Sequence, residues 1–596
     1  MKEEIQQRLD AFRAEMRRAG VSAVVIPQTD AHLGEYIASH WQVRRWLSGF
    51  TGSAGSLVGT ASEALLWTDS RYFIQAAQQL EGTGIKLMKE GLPGTPSISQ
   101  WLVRNLVKGQ TVGIDGFLFS ATEADAMRSV LEKHGLLLDT RFAPADRVWT
   151  DRPALPDAPV FLHEVKYSGR EAADKMQQVL AQVMQQGAGA LMISDLTEIA
   201  WILNIRSSDV SCTPVATAYL YLAPAGSTLF IDSRKIDGEV SAYLAANGVT
   251  VAPYSSVVEF LESLASDATV LIEPGRTSAR LRDALGGRAV IGASPVPVMK
   301  AVKNSVQIQG INRAMEADGA ALVGAFMEIE RRNAEGAPLT ELDVADILTQ
   351  HRSRQPEYFE PSFDTIAGYG PHGAIVHYSA TAESSVAIEP HGLLLIDSGA
   401  QYKYGTTDIT RTIAMGTPTA EEKRDFTLVM KGHIALAQAI FPEGTRGGQL
   451  DVLARQFLWR EGLTYLHGTG HGVGQFLSVH EGPQSIRLND VPYELQPGML
   501  TSNEPGLYRE GVHGIRCENL VLTVPAFTTE MGNFYRFETL TLFPFDRSLF
   551  DTAIMTDAEI DWVNGYHQQV RSRLTPLLTA DQAAWLAEKT LPIGRD

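Results

Sequence analysis

The residues best suited to chemistry are two aspartates, two glutamates and a histidine in the second half of the chain. Asp397 and Asp408 lie in the stretch "LLLIDSGAQYKYGTTDITRT", Glu504 lies in "TSNEPGLY" and Glu518 in "GIRCENLVL"; the histidine would be one of His467, His471 and His480 in a glycine-rich run. Four carboxylates and one imidazole form a hard, oxygen-rich set of donors. Such a set suits Mn²⁺, Co²⁺, Fe²⁺ or Zn²⁺ in a shared two-metal site better than a tetrahedral structural zinc site.

The two aspartates are expected to meet across a hairpin. Each is embedded in strand-like sequence, and the polar segment "QYKYGT" between them can turn the chain. If the strands pair antiparallel about Tyr402 and Lys403, Asp397 and Asp408 face each other with Cβ atoms about 5 Å apart. Two bare carboxylates this close in a low dielectric repel, so one of them would have to stay protonated. A divalent cation between them removes this problem.

Histidines are concentrated near these acids, with nine of the fourteen in residues 351–513. The run "HGTGHGVGQFLSVHEG" contains His467, His471 and His480. Its alternating glycines disfavour a helix, and we expect a loop whose backbone comes close to a site. A single histidine is by default an ordinary hydrogen-bonded residue, and a single carboxylate a turn or strand-edge residue. Their joint occurrence is what indicates a metal site.

Other catalytic motifs are absent from the sequence or unconvincing. "GYGPHG" fits the G-x-G-x-x-G dinucleotide pattern, which needs a strand before it and a helix after it. Here Pro371 interrupts the pattern and "AIVHYSA" continues as an alternating strand, so a nucleotide site is not expected. The chain contains no H-E-x-x-H, Walker A or G-x-S-x-G motif, which argues against zincins, P-loop enzymes and the common serine hydrolases.

The elements that must position these residues belong to a third domain. The first half contains a faint repeat: "AGVSAVVIPQTD" followed by "LLWTDSRYF", then "GAGALMISDLTE" followed by "LFIDSRKI". The repeat predicts two related α/β domains, separated by the proline-rich "TDRPALPDAP" and followed by the linker "ASPVPVMKAVKN". A long helix through Ile308 and Ile329 should open the last domain. We predict domains at residues 1–150, 151–300 and 301–596.

Length, composition and charge exclude several classes of function. The chain has 596 residues, too many for one core, with 44% hydrophobic and 20% charged residues. Its net charge of −18 argues against nucleic acid or an anionic membrane as a partner. The presence of only two cysteines is typical of a reducing compartment. The pattern at the amino terminus predicts an amphipathic helix and not a secretory signal. The sequence contains no apolar run long enough for a membrane span. A cytoplasmic protein is expected.

The order Asp397, Asp408, His471, Glu504, Glu518 resembles the ligand set of the pita-bread metallopeptidases, which include methionine aminopeptidase, prolidase and aminopeptidase P. The histidine-glycine run closely resembles the proline-peptidase signature. "YFEPSFDTIAGYGPHGAIVHY" is similar to the stretch that bears the family's substrate-side histidine, here His377. "SGFTGSAG" and "VWTDRP", in the two α/β domains, resemble the three-domain cytosolic form of aminopeptidase P.

The resemblance implies a fold, an activity and a set of site residues. The fold would be α/β (α+β), with two creatinase-type α/β domains before a pita-bread catalytic domain. Two divalent ions, foremost Mn²⁺ with Co²⁺ or Zn²⁺ as alternatives, would be bridged by Asp408 and Glu518. They would hold a hydroxide that cleaves the N-terminal Xaa-Pro bond of peptides, and the protein would be a homodimer. The implied residues are: metal ligands Asp397, Asp408, His471, Glu504 and Glu518; catalytic His377, His480 and Glu504; substrate-binding His377, His467, His480, Tyr508 and Arg516.

Several alternatives stay open at the level of sequence. The chain could be a prolidase-type dipeptidase, although its additional middle domain argues against this, or a non-catalytic pita-bread module that binds peptides. Arg516 could orient Glu518 through a salt bridge instead of contacting substrate, and Tyr508 could merely pack. The aromatic residues of the last 50 positions, such as Trp562 and Trp585, could cover the catalytic domain or a partner subunit.

Overall fold

The structure is a computed structural model that describes residues 2–489 and 491–594. These residues form two compact units. The N-terminal unit comprises Met1–Val165 with Arg170–Val296, and the C-terminal unit comprises Lys166–Gly169 with Pro297–Asp596. The helices Val165–Ser168 and Val296–Ala301 lie where the chain passes from one unit to the other.

The N-terminal unit contains two six-stranded sheets with the same topology. In each sheet, the strand that comes first in the chain occupies the fourth position across the sheet. It pairs antiparallel with the strand in the third position and parallel with the strand in the fifth. The internal repeat predicted from the sequence is therefore confirmed. In spatial order the strands of the first sheet are Lys86–Lys89, Ala64–Thr68, Ser56–Thr60, Ala23–Ile26, Thr111–Gly113 and Leu137–Asp139. Those of the second are Val249–Ala252, Ser227–Phe230, Tyr219–Leu222, Ala190–Ile193, Val270–Ile272 and Ala289–Ile291.

Helices cover these sheets, and the first of them is the predicted amphipathic helix. It spans Lys2–Ala19 and buries Ile5, Leu9, Phe12 and Met16, the four apolar residues at helical spacing. A short strand pair, Phe161–Leu162 with Ile205–Arg206, completes the unit. The other helices are Val43–Ser48, Phe73–Leu80, Ile98–Asn105, Ala121–Lys133, Ala145–Val148, Ala172–Gln185, Leu196–Leu203, Gly238–Ala246, Val257–Ser263 and Ala279–Leu285.

The C-terminal unit begins with a helix of 30 residues, Ser305–Ala334, as the apolar periodicity predicted. Asn304 caps it by accepting a hydrogen bond from Gln307 N, and the helix buries Ile311 and Phe326 in the core of the unit. The remaining helices are Glu341–Ser353, Ala420–Ala437, Gly447–Arg460, Asp557–Leu574 and Ala580–Lys589.

The sheets of the C-terminal unit are small, and their described strand pairs are antiparallel. Two have three strands, one has four and two are simple pairs. In spatial order the strands are Tyr358–Pro361, Ala400–Tyr402 and Gly405–Thr406; Ile366–Tyr369, Leu393–Ser398 and Ile409–Ala414; Ile440–Pro442, Gly532–Thr539, Asn519–Thr529 and Leu500–Asn503; Gly470–His471 with Ser485–Ile486; Gly506–Arg509 with His513–Arg516.

The hairpin that carries the two aspartates forms, but in a different register from the one predicted. Asp397 lies opposite Thr410, and the tip pairs Tyr402 with Gly405, so the chain turns one residue later than expected. Asp408 therefore precedes the partner of Asp397 by two residues. Because side chains alternate between faces with a period of two, this shift keeps both aspartates on the same side.

The C-terminal aromatic residues pack within their own unit. Tyr566 is buried and donates a hydrogen bond to Phe543 O at 2.9 Å, and Trp562 stacks on its ring at 5.5 Å. Trp585 donates from Nε1 to Glu330 at 2.8 Å. These contacts favour the alternative in which the segment covers the catalytic domain. Among the described residues, no helix is both long and apolar enough to cross a bilayer.

Candidate metal centre

Strand ends bring the five predicted ligands together. Asp397 is the fifth residue of Leu393–Ser398, and Asp408 immediately precedes Ile409–Ala414. His471 ends the short strand Gly470–His471, Glu504 follows Leu500–Asn503, and Glu518 precedes Asn519–Thr529. Residues beside strand ends can leave the pleat and turn toward a common point. Glu518 lies in the break between two separate strands, His513–Arg516 and Asn519–Thr529.

Three of these side chains have the spacing of a metal site. Ligand atoms of Asp408, His471 and Glu518 all lie within 4.8 Å of one another. His471 Nε2 is 3.4 Å from Asp408 Oδ2 and also 3.4 Å from Glu504 Oε1. Asp408 and Glu518 are almost fully buried, so their charges are poorly screened by solvent.

The imidazole of His471 is oriented with Nε2 toward this cluster. Its Nδ1 lies 2.8 Å from Gly472 O, and a carbonyl can only accept, so Nδ1 carries a proton. Nε2, which faces the carboxylates, is therefore the nitrogen that offers a lone pair when the imidazole is neutral. A ligating histidine usually has its other nitrogen bound in this way. Ser502 Oγ accepts from His471 N at 2.9 Å and donates to Glu504 at 3.2 Å, which ties the two residues together.

Asp397 is held by one oxygen and leaves the other one available. Arg516 Nη2 donates to Asp397 Oδ2 at 2.6 Å, in a contact that is buried on both sides. Asp397 Oδ1 is buried and has no hydrogen-bond partner among the residues that the structure describes. The expectation that Arg516 could form a salt bridge with Glu518 is wrong, because its guanidinium is directed to Asp397 and Tyr508 instead.

Thr410 supports Glu518 and was not singled out by residue from the sequence. Its hydroxyl donates to Glu518 Oε2 at 2.8 Å, and its carbonyl accepts from Glu518 N at 3.2 Å. The signal available in the sequence was the Thr-rich run after Asp408, in which Thr410 occupies the same face two residues on. Thr410 also lies opposite Asp397, so it links the two sides of the cluster.

The electrostatics of the cluster favour bound cations. Burial, with the nearby charge of Asp408, raises the pKa values of Asp397, Glu504 and Glu518. Burial lowers the pKa of His471, but the hydrogen bond and charge of Asp408 and the charge of Glu504 outweigh it and raise that pKa to about 9. Without a metal ion, the cluster thus binds protons more tightly than free side chains do, and these protons reduce the repulsion between its carboxylates. Together with the orphaned oxygen of Asp397, this donor set fits two divalent ions.

The glycines of the histidine run are required by close backbone packing. A Cβ added at Gly470 would lie 2.0 Å from Ser502 O, and one at Gly472 would lie 2.0 Å from Glu481 O. Both distances are far inside van der Waals contact. The segment is a loop with a short strand at Gly470–His471, so the predicted glycine-rich loop is confirmed.

The predicted substrate-side residues form a hydrogen-bonded chain that ends at Asp397. His467 Nδ1 donates to Gly468 O at 2.7 Å, so its Nε2 accepts from the Tyr508 hydroxyl at 2.8 Å. Arg516 Nη1 donates to the Tyr508 oxygen at 2.8 Å. Burial raises the pKa of Tyr508 to about 12, which keeps the hydroxyl protonated as a donor.

The two predicted catalytic histidines lie on different segments. His480 meets His471 edge to face, with ring centroids 4.4 Å apart. His377 is half-buried in the turn after the short helix Gly370–Ala374. That helix follows the strand Ile366–Tyr369, in which Ile366 pairs with Asp397.

Two buried carboxylates that sequence reasoning missed organise these segments. Glu341 accepts from Tyr369 N at 2.9 Å, His372 Nδ1 at 2.8 Å and the Tyr378 hydroxyl at 2.8 Å, and so braces the turn that carries His377. Near a helix start a glutamate is an ordinary residue, and the sequence carried no signal of its burial.

The second buried carboxylate is that of Asp451, which accepts a hydrogen bond from Arg455 Nε at 2.6 Å. Arg455 in turn donates to His467 O at 2.8 Å. An Asp-Arg pair four residues apart on a helix is usually a surface ion pair, whereas here both side chains are buried.

Comparison with known proteins assigns the chain to a family. The Metallopeptidase family M24 matches residues 309–525, and the C-terminal region of that peptidase matches residues 533–593. The Creatinase/Prolidase N-terminal domain matches twice, at residues 8–147 and 151–307. Aminopeptidase P2 of Arabidopsis thaliana is 41% identical over 97% of this chain and 86% of its own length. The chain belongs to the aminopeptidase P family of M24 metallopeptidases.

Other members of the aminopeptidase P family match over their full length. The probable Xaa-Pro aminopeptidase P of Tuber melanosporum is 40% identical, over 98% of this chain and 99% of its own. The crystal structure of X-prolyl aminopeptidase from Caenorhabditis elegans, described as a cytosolic enzyme with a di-nuclear active site, superposes with a TM-score of 0.96 at 35% identity. It covers 99% of this chain and 100% of that one. The fold class predicted from the sequence is confirmed: two creatinase-type domains precede an M24 catalytic domain.

Proposed function

We propose that the protein is a metal-dependent aminopeptidase that removes the first residue from peptides with proline in second position. One observation carries the proposal: five donor side chains converge in the catalytic domain, with Asp408, His471 and Glu518 within 4.8 Å of one another. Full-length relatives named Xaa-Pro aminopeptidase support the substrate class. None of the five family-like donors is missing, which argues against a non-catalytic binding module.

The residues that would hold two divalent ions are Asp397, Asp408, His471, Glu504 and Glu518. Asp408 and Glu518, whose ligand atoms lie within 4.8 Å of each other, would be the carboxylates shared by both ions. When bound, the ions lower the pKa of a water at the site and polarise the carbonyl of the scissile bond. Mn²⁺ is the proposed metal, with Co²⁺ or Zn²⁺ as alternatives, because carboxylate-rich sites favour harder ions.

The chain's own residues then divide the proton transfers and the substrate contacts. Glu504, whose pKa burial raises, accepts a proton from the attacking water at its carboxylate. His480 and His377 donate hydrogen bonds to the oxyanion of the tetrahedral intermediate and relay the proton taken by Glu504 to the leaving amine. Arg516 fixes Asp397 by one oxygen and so orients the other toward the site.

Selection for proline must come from shape. An imide nitrogen carries no hydrogen, so a site cannot recognise this position by accepting a backbone hydrogen bond. We assign His467 to the wall of the proline pocket. Tyr508 fixes the tautomer of that histidine, because its hydroxyl occupies the Nε2 lone pair at 2.8 Å.

Further properties are proposed on the same basis. The domain boundaries at residues 1–150, 151–300 and 301–596 place one six-stranded sheet in each of the first two domains. A cytoplasmic location agrees with two buried free cysteines and with the C. elegans enzyme, which is described as cytosolic. The partners are peptides and a second copy of the chain, with no nucleic acid or membrane. Sedimentation at several concentrations would test the homodimer.

A dipeptide-specific prolidase is the alternative enzyme. The prolidase of Pyrococcus horikoshii OT3 shares the fold at 24% identity and a TM-score of 0.50, over 99% of that chain but only 62% of this one. Incubation with Mn²⁺ and either a Xaa-Pro-Xaa tripeptide or a Xaa-Pro dipeptide separates the possibilities. We expect the free first residue from the tripeptide. Release from the dipeptide alone would identify a prolidase, and no release from either would favour a binding module.

A further inference from the structure

A buried ionic triad lies beside the catalytic loop. Glu481, the residue after His480, is 2.7 Å from Lys303 Nζ and 3.0 Å from Lys300 Nζ. The three side chains are between 2% and 5% exposed. Lys300 belongs to the helix Val296–Ala301, and Lys303 lies directly before the long helix that opens the catalytic domain. The catalytic mechanism described above does not use any of the three.

Glu481 also joins the two limbs of the loop that carries His471 and His480. Its backbone N–H donates to Gly472 O at 2.8 Å, and Gly472 N donates to Gln484 O at 3.2 Å. Its side chain lies against Gly474, where a Cβ would be 2.9 Å from Glu481 Oε2. The segment that follows His471, with Gly472 and Gly474, is therefore packed against Glu481.

The other end of the triad is anchored to the strand that leads to Glu504. Lys303 N donates to Gly498 O at 2.9 Å, and Val302 forms a bridge with Met499. These backbone contacts hold the segment that carries the lysines in place. The ion pairs of Glu481 with Lys300 and Lys303 then hold the loop to that segment. Two ammonium groups buried with one carboxylate depend on that carboxylate strongly, because removal of one partner from a buried ion pair leaves uncompensated charge.

We infer that Glu481 is a positioning residue for the proposed reaction: through Lys300 and Lys303 it fixes the loop that sets His480 against His471. This inference rests on the proposed function for its catalytic consequence. The edge-to-face contact of the two rings, 4.4 Å between centroids, is the geometry that the triad maintains. A displacement of a catalytic group by about 1 Å can lower a rate by about 10²-fold.

The test is Glu481→Gln, which keeps the shape of the side chain and removes its charge. In the Mn²⁺-loaded enzyme, with a Xaa-Pro-Xaa tripeptide, we expect kcat to fall by about 10²-fold while KM changes by less than about threefold. In a His480→Ala background the same substitution should change kcat by less than about twofold, because the group that it positions is already absent. Glu481→Asp, which retains the charge, should recover part of kcat.

Hydrogen exchange gives a readout that does not need activity. In Glu481→Gln the amides of Gly472, Gly474 and residue 481 should exchange faster, whereas the hairpin at residues 393–414 should be unchanged. Lys303→Met leaves one lysine paired with Glu481, so its fall in kcat and its increase in amide exchange should both be smaller. This variant replaces Glu481→Gln in the test if Glu481→Gln does not fold. Glu461→Gln, which breaks the exposed pair with Arg424, is the matched control and should alter neither readout.

The outcomes separate the inference from the function on which it rests. An inactive wild-type enzyme would overturn the proposed function, and faster exchange in the Glu481→Gln loop would still support the anchoring role. An active wild type with kcat of Glu481→Gln within about twofold would overturn the inference. An equal loss of kcat in the His480→Ala background would also overturn it, because Glu481 would then not act through His480.

Discussion

Replacement of Glu518 by Gln should stabilise the metal-free protein although it destroys the metal site. Burial and the charges of Asp408 and Glu504 raise the pKa of Glu518 well above its ordinary 4.5. The folded, metal-free protein therefore retains a proton on this carboxyl to a higher pH than the unfolded chain does. In the Glu518→Gln variant, the amide oxygen would accept the hydrogen bond from Thr410 without this linkage.

The magnitude follows from proton linkage. A carboxyl whose folded pKa is raised contributes its full stability below pH 4.5, and this is lost as the pH rises toward the folded pKa. Between pH 4.5 and 7, at about 1.4 kcal/mol per unit, the loss for Glu518 reaches at most about 3.5 kcal/mol. Glu518→Gln should therefore be more stable than wild type by up to this amount at pH 7, and equal to it near pH 4. For a unit of about 300 residues this corresponds to a Tm increase of about 5 °C.

Thermal unfolding of chelator-treated proteins at the two pH values measures this difference. Addition of Mn²⁺ at a hundredfold excess over Kd should then stabilise wild type by about 2.7 kcal/mol and so raise its Tm, and it should leave the Tm of the variant nearly unchanged. If the metal-free variant is less stable than wild type at pH 7, Glu518 is a stabilising charge in the folded protein, and the expected gain is wrong. An equal gain at pH 4 and pH 7 would refute the linkage.

The remaining predictions concern the residues around the cluster. Asp408→Asn should abolish peptide hydrolysis and reduce bound metal below two ions per chain, measured by elemental analysis; full occupancy would show that the bridge is misplaced. Arg516→Lys keeps the charge but cannot contact Asp397 and Tyr508 together, so kcat/KM should fall about 10- to 100-fold; unchanged kinetics would contradict this role. Glu341→Gln should lower kcat at full metal content, because the turn bearing His377 loses a charged acceptor; a loss of metal instead would place Glu341 in the metal site.

Part of the fold could be predicted because its signals are local. The apolar periodicity of Lys2–Ala19 and Ser305–Ala334 and the repeated Asp-Ser-Arg strand ends each depend on a few neighbouring residues. In both repeats the Asp-Ser-Arg motif follows the equivalent strand of its own sheet. Arg71 pairs with Asp69 in the first repeat, as Arg234 pairs with Asp232 in the second. Local chemistry of this kind is visible in a single sequence.

The features that the sequence did not reveal depend on contacts between distant segments. The hairpin register is set by the turn at its tip, and a one-residue difference there moved the partner of Asp397 from Asp408 to Thr410. The pairing of Arg516 with Asp397 joins residues 119 positions apart. The burial of Glu341 and Glu481 cannot be inferred from letters that most often mark exposed residues.

If two metal ions at this cluster drive cleavage before proline, activity must follow metal content. Metal-free enzyme can be titrated with Mn²⁺ while release of the first residue from a Xaa-Pro-Xaa tripeptide is followed, with an otherwise identical peptide that has alanine second as the comparison. We expect no release without metal, full activity at two ions per chain, and little release from the alanine peptide. Full activity in the metal-free protein, or equal cleavage of both peptides, would contradict this expectation.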